Sequence, residues 1–127
     1  MTIRAGRKGP ARRFQDLIVW EQAHQLVLAT YKESAGFPSF ERYGLIAQLR
    51  RSAVSVPANI AEGFRKRTRN EKARYFNIAE GSLEETRYYL ILARDLGYLR
   101  TESLLLQVEE VSRLLNAYSR KLLASGS

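Results

Sequence analysis

The spacing of the apolar residues limits the possible fold more than any other feature of this sequence. In four segments they recur at intervals of three and four, most regularly near the C-terminus at Leu104, Val108, Val111, Leu115, Tyr118 and Leu122. Because an α-helix turns once in 3.6 residues, this spacing places the side chains on one helical face. No segment alternates apolar and polar residues as a half-buried strand does. The sequence therefore predicts an all-α chain.

Capping residues and helix breakers set the expected ends of four helices. The first should run from an N-cap at Asp16 to about Ser34, and the second from about Phe40 to Gly63. The third should follow Thr68, which has capping-box spacing to Glu71, and end near Leu96. Thr101 should cap the fourth. Helices this long, joined by short loops, predict an antiparallel up-and-down four-helix bundle over residues 14–124.

The second helix has two unusual features. Pro57 lies inside it, and a proline there should kink or split the helix because it lacks an N–H group. Ser52, Ser55, Asn59 and Glu62 form a polar line along it. We expect these polar groups to bond to one another or to the backbone, with ligand binding as the alternative. In the third helix, Gly81 suggests close approach by a neighbouring helix.

The excess positive charge is confined to two segments. Residues 1–13 contain five basic and no acidic residues, and they should form a disordered basic tail. Residues 50–74 contain eight basic and two acidic residues. Clustered positive charge is typical of anion-binding surfaces, although it can also serve solubility alone.

Few residues suggest catalytic chemistry, and the sequence predicts no enzyme, cofactor or metal site. Cysteine is absent, and His24 is the only histidine, so the chain cannot supply the two Glu-x-x-His pairs of a di-metal bundle. Glu80, Glu84 and Glu85 could bind a metal in a hydrolase, but we expect them to pair with basic residues of a neighbouring helix or subunit. No apolar run is long enough to span a bilayer, and no secretory signal is expected.

Three stretches are distinctive: DLIVWEQAHQLV (16–27), FERYGLIAQLRRSAVSVPANIAEGF (40–64) and ARYFNIAEGSLEETRYYLILARDLGYL (73–99). The chain closely resembles the four-helix-bundle proteins of intervening sequences in bacterial 23S ribosomal RNA genes, over about residues 14–120. The resemblance implies a four-helix bundle that assembles into a ring-like homopentamer, and without a predicted signal or membrane span the default expectation is a cytoplasmic protein. Accessory proteins of diversity-generating retroelements look like relatives with the same barrel, and those bind nucleic acid and a reverse transcriptase through a basic surface.

The first functional hypothesis is a non-enzymatic protein that binds nucleic acid, in particular structured RNA, mainly through phosphate contacts. Tyrosines or Phe64 could stack on unpaired bases. The second hypothesis is a scaffold that docks a protein such as a polymerase or a ribosomal component. The predicted nucleic-acid contacts are Arg65, Lys66, Arg67, Arg69, Lys72 and Arg74, together with Arg50 and Arg51, which could instead lie at an interface or core edge.

Overall fold

A computed structural model describes residues 9–124 of the chain. It contains four α-helices: α1 (Ile18–Ser34), α2 (Leu45–Arg65), α3 (Arg69–Asp95) and α4 (Glu102–Ala124). Short 3-10 turns at Phe14–Asp16 and Ser39–Glu41 precede α1 and α2. The described part of the chain has no β-strand, so the all-α prediction is confirmed. No helix among these residues has both the length and the apolar character needed to cross a membrane.

Each helix packs against the helices before and after it in the chain, and α1 also packs against α4. The contacts between α2 and α3 show an antiparallel pair, because Arg51 meets Glu85 whereas Gly63 meets Phe76. The helices α3 and α4 are also antiparallel, because Phe76 near the start of α3 meets Tyr118 near the end of α4. Leu90, further along α3, accepts a hydrogen bond from Thr101, directly before α4. The four helices thus form an up-and-down bundle around one core.

The core contains apolar residues of α2 and α4 that recur at intervals of three and four. Leu49, Val56 and Ile60 of α2 are fully buried, and the α4 seam is buried from Leu104 to Tyr118. On α3 the buried face carries Phe76, Ala79, Leu83, Thr86, Leu90 and Ala93. Ile78 on the same helix and Leu96 directly after it are exposed.

The predicted N-terminal ends of the first two helices were wrong. Asp16 does not cap α1; its carboxylate accepts hydrogen bonds from the N–H groups of Arg12 and Arg13, upstream of it. A 3-10 turn follows Ser39, and α2 begins only at Leu45, whose N–H donates to the Glu41 carboxylate at 3.0 Å. The fourth helix begins directly after Thr101, as predicted, although the Thr101 hydroxyl donates to the Leu90 carbonyl on α3. Asp16 and Glu41 thus bond to N–H groups three or four residues away, whereas Thr101 bonds to a different helix.

The helix α2 continues through Pro57 without a break, so the proline does not split it. The predicted kink at Pro57 stays a prediction. Residues 1–8 and 125–127 lie outside the described part of the chain. Most of the predicted disordered tail, residues 1–13, therefore lies outside it as well. Within that predicted tail, Ala11 is partly buried against the core.

The polar line of α2 bonds mainly to α3. The Ser52 and Thr86 hydroxyls lie 2.8 Å apart, as do those of Ser55 and Ser82. Asn59 donates to the carbonyl of Ser55 at 2.8 Å and to its hydroxyl at 3.0 Å. These contacts support a structural role for three of the four residues, because buried polar groups require partners. Glu62, the fourth, is exposed.

The two helical glycines have roles that differ from those expected. Gly63 does not end α2, which continues to Arg65. A Cβ at residue 63 would lie 2.8 Å from the ring of Phe76, so the close approach of α3 requires glycine there. Gly81 has no such neighbour: a Cβ there would meet no atom within 4 Å. The expected close approach at Gly81 is therefore absent among the described residues.

Candidate nucleic-acid interface

The basic segment around the α2–α3 junction is fixed by two capping contacts. Thr68 accepts a hydrogen bond from the N–H of Glu71 at 3.2 Å, as the capping-box spacing predicted. The Lys72 ammonium donates to the Phe64 carbonyl at 2.7 Å and lies 3.5 Å from that of Gly63. A cation in this position complements the negative end of the α2 dipole. The turn between the helices is thereby held in one conformation.

This turn presents basic side chains to solvent. Arg65 and Arg67 are exposed, and Arg69 is half-buried at the first position of α3. The Lys66 ammonium lies 4.9 Å from the centre of the Tyr75 ring, and the Arg74 guanidinium lies 5.5 Å from it. The Tyr75 ring thus orients two of the cations through cation–π contacts.

Lys72 differs from its neighbours because its ammonium is half-buried and engaged with the backbone of α2. Partial burial lowers the pKa of this amine. Phe64 is also unsuited to base stacking. Its ring lies partly buried against the core, with the Lys72 ammonium 5.4 Å from its centre. Tyr75 is half-exposed and lies against the side chains of Lys66 and Arg74.

Residues that precede α1 meet the same end of α2. A groove of about 400 Å³ separates Arg12, Arg13, Phe14 and Gln15 from Ala58, Ala61, Glu62, Phe64 and Arg65. Hydrogen bonds from the backbone N–H groups of Arg12 and Arg13 to the buried carboxylate of Asp16 hold this segment in place. Two basic segments that are about fifty residues apart in sequence therefore lie side by side.

Arg120 and Lys121, near the C-terminal end of α4, also belong to this end of the bundle. Their helix lies beside the start of α3, where Ser119 and Arg74 line a common groove. We define the basic end as residues 9–17, 62–74 and 117–124; it contains ten basic and three acidic residues. The opposite end, residues 32–44 and 94–102, contains four of each. The positive charge is thus concentrated at one end of the bundle.

Sequence reasoning did not include Arg12, Arg13, Arg120 and Lys121 among the contacts. The charge of residues 1–13 was visible in the sequence, but its position beside α2 depends on the Asp16 hydrogen bonds. The positions of Arg120 and Lys121 could have been predicted from the antiparallel bundle, because this topology places the end of α4 beside the start of α3.

Arg50 and Arg51 lie elsewhere. They are separated from Arg65 by about 22 Å along the helix, at 1.5 Å per residue. Arg50 donates to the Ser34 hydroxyl at 2.9 Å and to the Tyr31 carbonyl at 3.2 Å, so it caps the C-terminal end of α1. Arg51 forms a 2.6 Å ion pair with Glu85 on α3. The structure does not bring these two arginines to the basic end.

Glu80, Glu84 and Glu85, which were expected to pair with basic residues of a neighbouring helix or subunit, have separate environments. Glu85 pairs with Arg51 and accepts a hydrogen bond from Tyr89, and these contacts hold its pKa below the ordinary value. Glu84 pairs with Arg87 of its own helix at 3.0 Å. Glu80 lines the groove beside α4. Among residues 9–124, no cluster of three or more carboxylate and histidine side chains could hold a metal ion.

His24 lies on α1, where its ring stacks on that of Trp20 with the centres 5.0 Å apart and the planes at 11°. Trp20 in turn meets Phe14 edge to face at 5.1 Å. The histidine therefore extends an aromatic cluster that connects the start of the described chain to α1.

Comparison with known proteins gives one family and one fold. The family model described as "23S rRNA-intervening sequence protein" matches residues 15–117. A crystal structure from Bacteroides thetaiotaomicron, described as a protein with unknown function from the S23 ribosomal protein family, is 22% identical with a TM-score of 0.76. The match covers 81% of this chain and 96% of that one. No curated protein matches the chain.

Proposed function

The chain belongs to the 23S rRNA-intervening sequence protein family, and on this premise we propose that it binds structured RNA through the basic end of its bundle, without catalysing a reaction. The observation that carries the proposal is the convergence of two basic segments, from before α1 and from the α2–α3 junction, on one groove. The family points to an RNA-related role, and this surface has the charge that such a role requires.

The chemistry of the surface favours phosphate contacts over base readout. Exposed guanidinium groups such as those of Arg65 and Arg67 form paired hydrogen bonds with phosphate oxygens. Contacts of this kind release counterions, so the affinity should fall steeply as salt is added and depend little on sequence. We assign Arg65, Lys66, Arg67, Arg69 and Arg74 to this contact set and add Arg12 and Arg13. Lys72, Arg50 and Arg51 have structural roles in our proposal.

We also propose that the protein forms a ring-like homopentamer, with α2 bent at Pro57, in the cytoplasm. Exposed apolar side chains on separate helices, including Leu28, Ile78 and Leu106, support an assembly that covers them. Five basic ends in one ring would bind a polyanion with higher avidity than a single copy does. Light scattering should give a mass five times that of the chain, and a monomer would contradict this part of the proposal.

The test of RNA binding is fluorescence anisotropy with the nuclease-treated full chain, a structured RNA and a DNA duplex, over a salt series. A variant with Arg65, Arg67 and Arg69 changed to Gln should lose most of its affinity. The slope of log affinity against log salt should become shallower by roughly 2 to 3 for each bound copy, because three phosphate contacts are lost. The ratio between RNA and DNA identifies the preferred polymer.

A matched control changes Lys32, Arg42 and Arg100 to Gln. These three exposed residues lie at the opposite end of the bundle, so the control has the same net charge as the first variant. It should keep most of the affinity of the unmodified chain, and circular dichroism should show equal helicity in all three proteins. Equal loss of binding in both variants would mean that net charge alone, rather than the basic end, attracts the RNA.

A second candidate function is a scaffold that docks a protein partner such as a polymerase or a ribosomal component. It is favoured by the exposure of Phe40 (77%) and Tyr43 (88%) before α2, since aromatic residues are enriched in protein interfaces. A pull-down whose captured protein remains after nuclease treatment, and is lost on Tyr43→Ser, would support the scaffold. Loss of the captured protein after nuclease would instead support RNA binding.

A further inference from the structure

The groove between α3 and α4 at the basic end contains a half-buried carboxylate, whereas the carboxylate in the other groove of this surface, Glu62, is exposed. Its volume is about 350 Å³, and its lining combines apolar and polar side chains: Ala73, Arg74, Asn77, Glu80, Ser119, Leu122 and Leu123. A half-buried carboxylate adds nothing to phosphate contacts, because the two anions repel each other. Glu80 therefore calls for a separate explanation.

Two polar groups in this groove have no protein partner among the described residues. The Ser119 hydroxyl oxygen is buried without a hydrogen bond. The carboxylate of Glu80 is half-buried and forms neither an ion pair nor a hydrogen bond, in contrast to Glu84 and Glu85. Burial raises the pKa of Glu80, and no donor offsets this effect. Unpaired polar groups in a groove are free to bond a ligand that supplies donors.

The lining determines what such a ligand must contain. It must offer hydrogen-bond donors to Glu80, an apolar body to Leu122 and Leu123, and an anionic group to Arg74 at the rim. A nucleotide satisfies all three requirements, since its base is flat and weakly polar on its faces and its phosphate is anionic. Unpaired bases are commonly bound by proteins through the edge that would otherwise pair with another base.

Among the four RNA bases, guanine best fits a single carboxylate. Its ring N–H and its amino group are adjacent donors on the pairing edge, so both can bond to the two oxygens of one carboxylate. Adenine and cytosine place an acceptor beside their amino group, and that acceptor would face a carboxylate oxygen. Uracil has a single donor between two acceptors.

We propose that the α3–α4 groove binds one unpaired guanine of the RNA, with Glu80 on its pairing edge and Arg74 on its phosphate. This proposal rests on the proposed function, because the basic end must first hold the RNA. Lysine or arginine from a second copy of the chain could also neutralise Glu80. The nucleotide is favoured because the groove is continuous with the basic end and has Arg74, which would repel such a cation, at its rim.

The experiment measures anisotropy of the full chain with three RNA hairpins that differ at one unpaired loop position, which carries guanosine, inosine or adenosine. Inosine lacks only the amino group of guanosine. The guanosine hairpin should bind about 10-fold more tightly than the adenosine hairpin, as expected for a bidentate contact, with the inosine hairpin in between. The Glu80→Gln variant should lose this preference while its salt dependence stays unchanged.

Glu84→Gln is the matched control, because it removes the same charge one turn further along α3 from a residue that is already paired. It should raise the affinity for all hairpins equally and keep the guanosine preference. Equal affinity of the unmodified chain for all three hairpins would overturn the guanine pocket and leave the proposed function intact, whereas absence of any RNA binding would refute both. If Glu80→Gln altered the mass of the assembly and kept the base preference, the groove would belong to a subunit contact and the proposal would be wrong.

Discussion

The ammonium nitrogen of Lys72 lies 2.7 Å from the carbonyl oxygen of Phe64, so a side chain from the first turn of α3 caps the last turn of α2. This contact joins the two helices at the most basic part of the chain. It also separates Lys72 from the exposed cations around it, because its charge neutralises a helix end of its own protein.

Changing Lys72 to Met should therefore affect stability more than RNA binding. We expect a loss of about 1 kcal/mol in the free energy of unfolding, since one charge-assisted hydrogen bond and its interaction with the helix end are removed. Urea denaturation measures the first effect and anisotropy the second. RNA affinity should fall less than 2-fold, and a loss as large as that of an Arg67→Gln variant would show that Lys72 contacts phosphate.

Gly63→Ala should destabilise the protein although it lies within a helix, where alanine is normally preferred. The added Cβ would lie 2.8 Å from Phe76 and 3.0 Å from the Cβ of Tyr75, so α2 and α3 would have to separate. Overpacking of this kind costs about 2 kcal/mol. Thermal unfolding measures the change, and an increased melting temperature would contradict the close helix contact at this position.

Gly81→Ala is the companion experiment, because the same chemical change is made where there is free space. Nothing lies within 4 Å of the added carbon, so the helix should gain about 1 kcal/mol from the better helix propensity of alanine. The same unfolding measurement applies. A loss of stability together with a smaller assembly in light scattering would instead mean that a neighbouring subunit approaches Gly81.

The hydroxyl pair of Ser52 and Thr86 can be tested by a double-mutant cycle. Each of Ser52→Ala and Thr86→Val leaves its partner buried with one fewer hydrogen bond, which should cost about 1 to 2 kcal/mol. The double variant leaves neither hydroxyl behind. It should be more stable than the sum of the single losses predicts, by about 1 kcal/mol. Strict additivity in urea denaturation would show that the two hydroxyls contribute independently.

The free energy of unfolding should depend on pH through Glu80. Burial places its pKa in the folded chain above that in the unfolded chain, so the folded state binds more protons between these two values. The contribution of Glu80 to stability is therefore most favourable below its unfolded pKa and is lost as the pH rises through its folded pKa. Glu80→Gln removes this loss, and its advantage should be larger at pH 7 than at about pH 4. An advantage that is equal at both values would mean that Glu80 keeps its ordinary pKa.

The fold followed from the sequence because its main determinant is local. A face of apolar residues at helical spacing is buried wherever the helices meet, and Val108 and Leu115 lie where that pattern placed them. The family and the use of Thr68 as a cap were likewise accessible from residues that are close in sequence.

The starts of the helices were less accessible because a side chain that can cap a helix can equally bond to the segment before it, and the composition of the basic end depends on contacts between distant residues. Asp16 has the chemistry of a helix cap, but its carboxylate is used by Arg12 and Arg13. Arg50 and Lys72 belong to one basic segment, yet each caps a different helix. Charge counted along the chain cannot distinguish a cation that faces solvent from one that bonds to a carbonyl.

The uneven distribution of charge also has a kinetic consequence. One end of the bundle has a net charge of +7 from ten basic and three acidic residues, whereas the other end is neutral. Such a molecule has a large electric dipole along its long axis, and the field of a polyanion exerts a torque on it before contact. Its collisions with RNA would be biased towards the productive orientation while both molecules are still diffusing, and added salt would slow association by screening that torque.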